Sequence, residues 1–249
     1  DGYTILQLTD MHSKEFGKKN RRLIGTINKL NPDIIVVTGD MMNSTEDNGN
    51  AFLNLASNLV KSYPIYYIDG NHELISKMVG EREESIIYSN YFGQLEQMGI
   101  HIINDKKMEL IENGETIHLR GLDIPLIFYS ASDVEVNIDF DKNYLENKIG
   151  KSDPNTYEIM LAHYPKYVKA YEEWGADLVL SGHHHGGMIR LPYWGGVISH
   201  EGEFFPEYDA GKYTKGNATM IVGRGLSNHT YNIRVFNRPE IVVIQLEKG

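Results

Sequence analysis

Five short apolar runs in this chain each end in Asp, Asn or His. "ILQL" leads to Asp10 and His12, and "IIVV" to Asp40. "IYYI" leads to Asn71 and His72, "IMLA" to His163, and "LVLS" to His183, His184 and His185. Runs of four apolar residues read as strands buried on both faces, which require layers covering them. Between the early runs lie helical patterns: Leu23, Ile24, Ile27 and Leu30, then Phe52, Leu55, Ala56 and Leu59, then Tyr88, Tyr91, Phe92 and Leu95. The third should stop near Gly99, a natural residue just past a helix end. Such β-α-β alternation gives sheets flanked by helices. Their carboxyl edges are where open α/β sheets bind ligands. Gly39, Gly70 and Gly182 precede the polar residues and are expected to allow sharp exits from the strands.

The later chain reads differently. "KMELIENGETIHLRGL" carries Asn113-Gly114 between two strand-like runs, a hairpin signal. "YEIMLAH", "ADLVLSG", "ATMIVG" and "EIVVIQLE" are further strands. Segment 128–155 reads as an insertion or lid, and "KMVGEREESII" as a solvated helix face. With no repeat and no linker, residues 1–249 are expected to form a single α/β domain.

Composition narrows the chemistry. The chain has no cysteine, so any metal must be held by nitrogen and oxygen. Acidic residues outnumber basic ones, 34 to 24, and no basic run exceeds a pair, which argues against nucleic acid as a partner. No stretch is long and apolar enough to span a bilayer. A strand-like run follows Asp1 almost at once, so a segment upstream of it is expected.

The polar set suits a pair of divalent cations. Two such ions about 3.5–4 Å apart need a bridging ligand, and a carboxylate has two oxygens to share. Asp40 is the natural bridge. Asp10, His12 and one late histidine can complete one ion; Asn71, His163 and the other late histidine can complete the second. The bland readings, lone structural histidines and Asp as helix caps, explain each residue singly but not the set. The two cations would leave net positive charge for an anionic phosphate and would lower the pKa of a bridging water from 15.7 toward about 7. The hydroxide so formed attacks in line, and no side-chain nucleophile is required.

Asp10-x-His12, Gly39-Asp40, Gly70-Asn71-His72-Glu73, His163 and Gly182-His183-x-His185 resemble, in order, the five signature blocks of the calcineurin-like metallophosphoesterase superfamily. The resemblance implies a four-layer sandwich of two mixed β-sheets flanked by helices, with a binuclear metal site at the C-terminal strand ends. It implies Asp10, His12, Asp40 and His185 at one metal, and Asp40, Asn71, His163 and His183 at the other. Manganese, iron or zinc would suit these ligands. His72 would be catalytic, steadying the transition state or protonating the leaving oxygen. Asn43 would stand behind the catalytic histidine; Glu73 is expected to support the site from behind, with a first-turn helix acid as the alternative. Serine/threonine phosphatases of the superfamily carry Asp three residues after the bridging carboxylate, where this chain has Asn43. An Asn carbonyl can fix the imidazole tautomer but stabilises an imidazolium less well.

The segments "FFPEYDAGKY" and "GRGLSNHTYNIRVFNRPEIVVIQL" are similar to a bacterial branch of phosphohydrolases often membrane-anchored or exported. That resemblance implies a small-molecule or lipid-linked phosphorylated substrate. It also implies membrane association through the upstream segment, or export, with the cytoplasm as the alternative. Cleavage of a phosphoester or pyrophosphate bond is the leading reading. A metal-free scaffold and a metal-dependent nuclease are the rivals. The aromatic cluster Phe204, Phe205, Tyr208 and Tyr213 is expected to be packing, with an apolar wall for a lipid or nucleotide substrate as the alternative. His184 should point away from the metals, and His101, His118, His200 and His229 should be ordinary residues.

Overall fold

A computed structural model describes residues 2–44, 46–83, 86–112, 114–129, 138–191, 193–199, 202–227 and 234–247. In chain order the first half holds β1 (Tyr3–Leu8), α1 (Arg21–Leu30), β2 (Ile34–Val37), α2 (Asn50–Leu59), β3 (Ile65–Tyr67), α3 (Asn71–Glu83) and α4 (Ile87–Gln97). The edge of the first sheet and the hairpin follow as β4 (His101–Ile102), β5 (Lys107–Glu112) and β6 (Glu115–Leu122). Next come α5 (Lys142–Ile149), β7 (Tyr157–Ala162), α6 (Val168–Trp174) and β8 (Leu178–Ser181). The chain continues through β9 (Ile189–Leu191), β10 (Gly195–Ile198), β11 (Gly211–Lys215), β12 (Ala218–Val222) and β13 (Val242–Leu246).

Two mixed sheets result. One has the order β13-β1-β2-β3-β4, with β1 to β4 parallel and β13 antiparallel at the edge. The other has the order β11-β12-β8-β7-β6-β5, parallel except at its two outer pairs. The alternation of side chains along each strand builds the layers. Ile34 and Val36 of β2 meet Ile159 and Leu161 of β7 in the core between the sheets. Ile35 and Val37 face the other way, onto Leu23 and Ile27 of α1 and Phe52, Leu55 and Leu59 of α2. Met160 and Ala162 of β7 face Leu145 of α5 and Tyr171 and Trp174 of α6. Each fully buried aliphatic side chain stabilises this arrangement by about 1.5–3 kcal/mol. The sandwich is therefore helix, sheet, sheet, helix, as expected.

Local signals behave as read in most places. Gly99 follows α4 with φ +88°. β5 and β6 pair from Lys107↔Arg120 to Glu112↔Glu115, the register of a two-residue turn; Asn113 itself lies outside the described residues. Other expectations need correction. The "KMVGEREESII" stretch is not one helix face. Its Lys77, Glu81, Arg82 and Glu83 are exposed on α3, as read, but Gly80 is buried there and α4 starts afresh at Ile87. Segment 128–155 is not simply a lid. Its residues 142–149 form α5, whose Leu145 and Ile149 belong to the core, while 130–137 lie outside the described residues. The β9–β10 hairpin had no forecast; it forms a separate two-stranded sheet.

Candidate metal centre

The C-terminal ends of β1, β2, β3, β7 and β8 converge. Gln7 bridges the two sheets there, its Nε2 donating to Thr38 Oγ1 (2.9 Å) and the Ser181 carbonyl (2.8 Å). Just beyond, the backbone turns abruptly. Asp10, His12, Asp40, His183 and His185 all have φ between +45° and +72°. Such conformations are uncommon for non-glycine residues and cluster at functional sites. The glycines act differently from the expected sharp exits. Gly39 does adopt positive φ, but Gly70 and Gly182 do not. Gly182 is needed because a Cβ there would collide with Thr9 Oγ1 and Asp10 Oδ2, and one at Gly70 would collide with Asp40.

Three sets of side chains, all buried, each bring ligand atoms within 4.8 Å of one another: Asp10, His12 and His185; His12, Asp40 and His72; Asp40, His163 and His183. Asp40 is shared by two sets, with Oδ2 3.2 Å from His163 Nε2 and 3.8 Å from His12 Nε2. Asp10 Oδ1 lies 3.6 Å from His185 Nε2 and 4.0 Å from His163 Nε2. Asn71, the first residue of α3, has Oδ1 2.9 Å from His183 Nδ1. The seven sequence-expected ligands are thus brought together. His72, expected to stand off from the metals, lies in one of the sets as well. Its ring centroid is 4.7 Å from that of His12, and its backbone N–H donates to Asp40 Oδ1 (2.9 Å).

The donor set fits divalent cations. His163 Nδ1 is 2.5 Å from the Thr38 carbonyl, and His185 Nδ1 is 2.8 Å from the Ser227 carbonyl. A carbonyl can only accept, so both Nδ1 atoms carry a proton and both Nε2 atoms face the carboxylates. Metal-binding histidines are oriented in this way. The electrostatics match. Burial pushes Asp10 up to about 7, and the Asp40 charge adds to it, against the pull of His163. Asp40 is also fully buried, but His163 and His72 outweigh that and hold it well below the usual carboxylate range. Burial disfavours a charged His163, yet Asp40 and then Asp10 raise it to about 9. Protons and imidazoles balance the buried negative charge, a role that cations can take over.

Glu73 holds the frame. Its Oε2 accepts the N–H groups of Asp40 (2.8 Å) and Gly70 (2.9 Å); its Oε1 accepts those of Met41 (2.8 Å) and Met42 (3.4 Å) and the Tyr67 hydroxyl (2.8 Å). One carboxylate therefore fixes the turns after β2 and β3. Asn43 donates from Nδ2 to the His12 carbonyl (3.5 Å), and its backbone N–H donates to Asp47 Oδ2 (2.7 Å). His184 stacks on Tyr164, with centroids 5.6 Å apart. His118 pairs with Glu158, and His101 stacks on Tyr66; His200 and His229 lie outside the described residues. Of the aromatic cluster, Tyr208 and Tyr213 pack on the core, but Phe204 and Phe205 are exposed.

Other residues had no forecast. Asn237 Nδ2 donates to the carbonyls of His185 and Gly187, both at 2.6 Å. Arg234 donates to those of His185 (2.9 Å), Gly225 (3.1 Å) and Arg224. The tail after β12 thus clamps the His185 turn. Tyr129 sits with its ring 5.2 Å from that of His183, and its buried hydroxyl has no hydrogen-bond partner among the described residues. Backbone carbonyls carry no side-chain signature, so sequence could not single out Thr38 or Ser227.

A family model for calcineurin-like phosphoesterases matches residues 3–187. An uncharacterised metallophosphoesterase of Bacillus subtilis, YkuE, is 26% identical over 99% of this chain and 80% of its own length. Campylobacter jejuni Cj0846, another uncharacterised metallophosphoesterase, is 27% identical over 98% of this chain; the chain spans only 59% of that relative. Among solved structures, the phosphopantetheinyl hydrolase of Mycobacterium tuberculosis has a TM-score of 0.51 over 89% of this chain and 88% of its own, at 12% identity. The NAD nucleotidase of Haemophilus influenzae scores 0.50 over 90% of this chain and 45% of its own, at 14% identity. At those identities the structural likeness speaks for the fold alone. No helix among the described residues is long and apolar enough to cross a membrane.

Proposed function

Because this chain belongs to the calcineurin-like phosphoesterase family, a class of metal-dependent hydrolases, we propose that residues 1–249 act as one domain cleaving a phosphoester or pyrophosphate bond. Asp10, His12, Asp40 and His185 would hold one divalent cation; Asp40, Asn71, His163 and His183 would hold the other. When bound, the pair would supply Lewis acidity toward a phosphoryl oxygen and an activated water. Manganese, iron and zinc all suit the nitrogen and oxygen donors.

The side chains do the rest. Asp40 is positioned by the His72 N–H on Oδ1 and by Glu73 on its own N–H. The His72 imidazole, its centroid 4.7 Å from that of His12, would steady charge on the transferring phosphoryl group or give a proton to the leaving oxygen. The acidic balance of the chain favours a small-molecule or lipid-linked phosphate over nucleic acid.

The observation that carries this reading is Asp40, whose Oδ2 lies 3.8 Å from His12 Nε2 of one proposed site and 3.2 Å from His163 Nε2 of the other. Elemental analysis after metal loading, together with hydrolysis of 4-nitrophenyl phosphate, tests it. Wild type should bind two ions and turn over. Asp40→Asn should lose both ions together. His72→Ala should keep its metal and lose about 100-fold or more in turnover. A wild-type chain without bound metal or activity would be a scaffold, and the proposal would fall.

A further inference from the structure

A cleft of about 420 Å³ is walled by Lys14, Arg234, Phe236, Asn237, Arg238 and Pro239. Both walls are tied to metal-ligand turns. Lys14 lies two residues after His12, and its N–H donates to the Met11 carbonyl (3.0 Å). Opposite, Arg234 holds the His185 carbonyl. No carboxylate lines this cleft among the described residues, although the chain as a whole carries a formal charge of −10. Arg234 spends its Nη groups on backbone carbonyls and so contributes charge, whereas Lys14 and Arg238 are exposed. The cleft is thus locally cationic.

Phe236 also walls a second cleft of about 460 Å³, with Leu191 and Tyr193 of the β9–β10 hairpin. The two clefts meet at this ring and form one groove, cationic at Lys14 and Arg238 and, at its other end, lined by Arg190 and Gly195 as well as Leu191 and Tyr193. Phe236 is 78% exposed and has φ +55°; Tyr193 is fully exposed and has φ +69°. Bulky residues rarely occupy that region, and packing does not account for rings left in water.

We propose that this groove is a substrate subsite for organic diphosphates. The terminal phosphoryl group lies at the centre, the inner one on Lys14 and Arg238, and the organic moiety against Phe236, Leu191 and Tyr193. Water adds to the terminal phosphorus as the bridging P–O bond breaks. The electron pair of that bond stays on the bridging oxygen, and the water loses its protons to the medium and the leaving group. The products are orthophosphate and an organic monophosphate. This inference rests on the hydrolytic reading of the centre and narrows its substrate.

The test compares kcat/KM on geranyl diphosphate and geranyl monophosphate, and on ADP and AMP, using the metal-loaded full chain. Calorimetric binding of methylenediphosphonate and methylphosphonate gives a readout independent of turnover. Wild type should favour each diphosphate over its monophosphate by about tenfold or more, and the Lys14→Ala/Arg238→Ala pair should erase that preference in rate and in binding. Lys169→Ala, a cation paired with Glu173 on α6, controls for charge and should leave the ratio as it is. Phe236→Ala distinguishes the organic groups: a larger loss on geranyl diphosphate points to an aliphatic chain, a larger loss on ADP to an aromatic base. A wild-type ratio near one, or a ratio unchanged in the double variant, overturns the subsite. Loss of all turnover with the diphosphonate preference intact would refute the hydrolytic reading and leave the subsite standing.

Discussion

Glu73→Gln is nearly isosteric, yet the hydrogen bonds around Glu73 forecast a clear cost. All five groups that Glu73 accepts from are donors, four of them backbone N–H groups. Gln must place an NH₂ where one carboxylate oxygen stood. At the Oε2 position it would face the N–H groups of both Asp40 and Gly70. At the Oε1 position it would face the Met41 N–H, while the Tyr67 hydroxyl can turn toward Tyr91 Oη, 3.2 Å away. The second orientation strands one strong backbone donor and keeps the Asp40 N–H bonded. One stranded buried donor costs about 1–3 kcal/mol, and the lost charge assistance adds to it. Burial, then the Asp40 charge, raises the pKa of Glu73, so neutralising it recovers part of that cost. The net destabilisation should be about 2 kcal/mol, lowering Tm by about 4–8 °C for a chain of this size. Glu73→Ala strands the three close backbone donors of Asp40, Met41 and Gly70 and should cost about 4–5 kcal/mol, even after water enters. Urea unfolding in excess chelator measures both without the added stability of bound metal. Metal titration should then show near-normal affinity for Glu73→Gln, whose Asp40 turn is kept, and weak binding for Glu73→Ala. Equal stabilities for wild type, Gln and Ala would refute the assigned role of Glu73.

Two further outcomes follow from other contacts. Asn237→Ala removes both bonds that steady the His185 turn, and metal affinity should fall by about 10–100-fold while the chain stays folded; competition against a fluorescent chelator reads this directly. Glu158 is buried, which raises its pKa, but Arg120 (3.1 Å), the Asp153 N–H (3.0 Å) and His118 (2.9 Å) outweigh burial and hold it below the ordinary 4.5. A lowered carboxyl pKa gives stability that is present above the unfolded value and lost as pH falls through the folded one. Glu158→Gln should therefore cost about 2 kcal/mol at pH 7, with the gap from wild type closing below pH 4.5 in chelator; a gap independent of pH would sink this account.

The sequence by itself determined the layers and the ligand types. Alternation along "IIVV" and "IMLA" sends one set of side chains between the sheets and the other toward helices, and that pattern is local, with a period of two. The absence of cysteine and the Asp, Asn and His residues at five strand ends fixed the donor chemistry before any geometry was known. The tertiary structure decided how those donors are held. Which late histidine faces Asp10 and which faces Asn71 depends on turns with positive φ at His183 and His185, and the His185 turn is held by contacts with Ser227, Arg234 and Asn237 more than 40 positions away. Such contacts run to backbone carbonyls, which every residue possesses, so nothing in the letters distinguishes them. The same holds for Gly182: its need for a bare Cα follows from the nearness of Thr9 and Asp10 across the two sheets, a distance that only the folded chain sets.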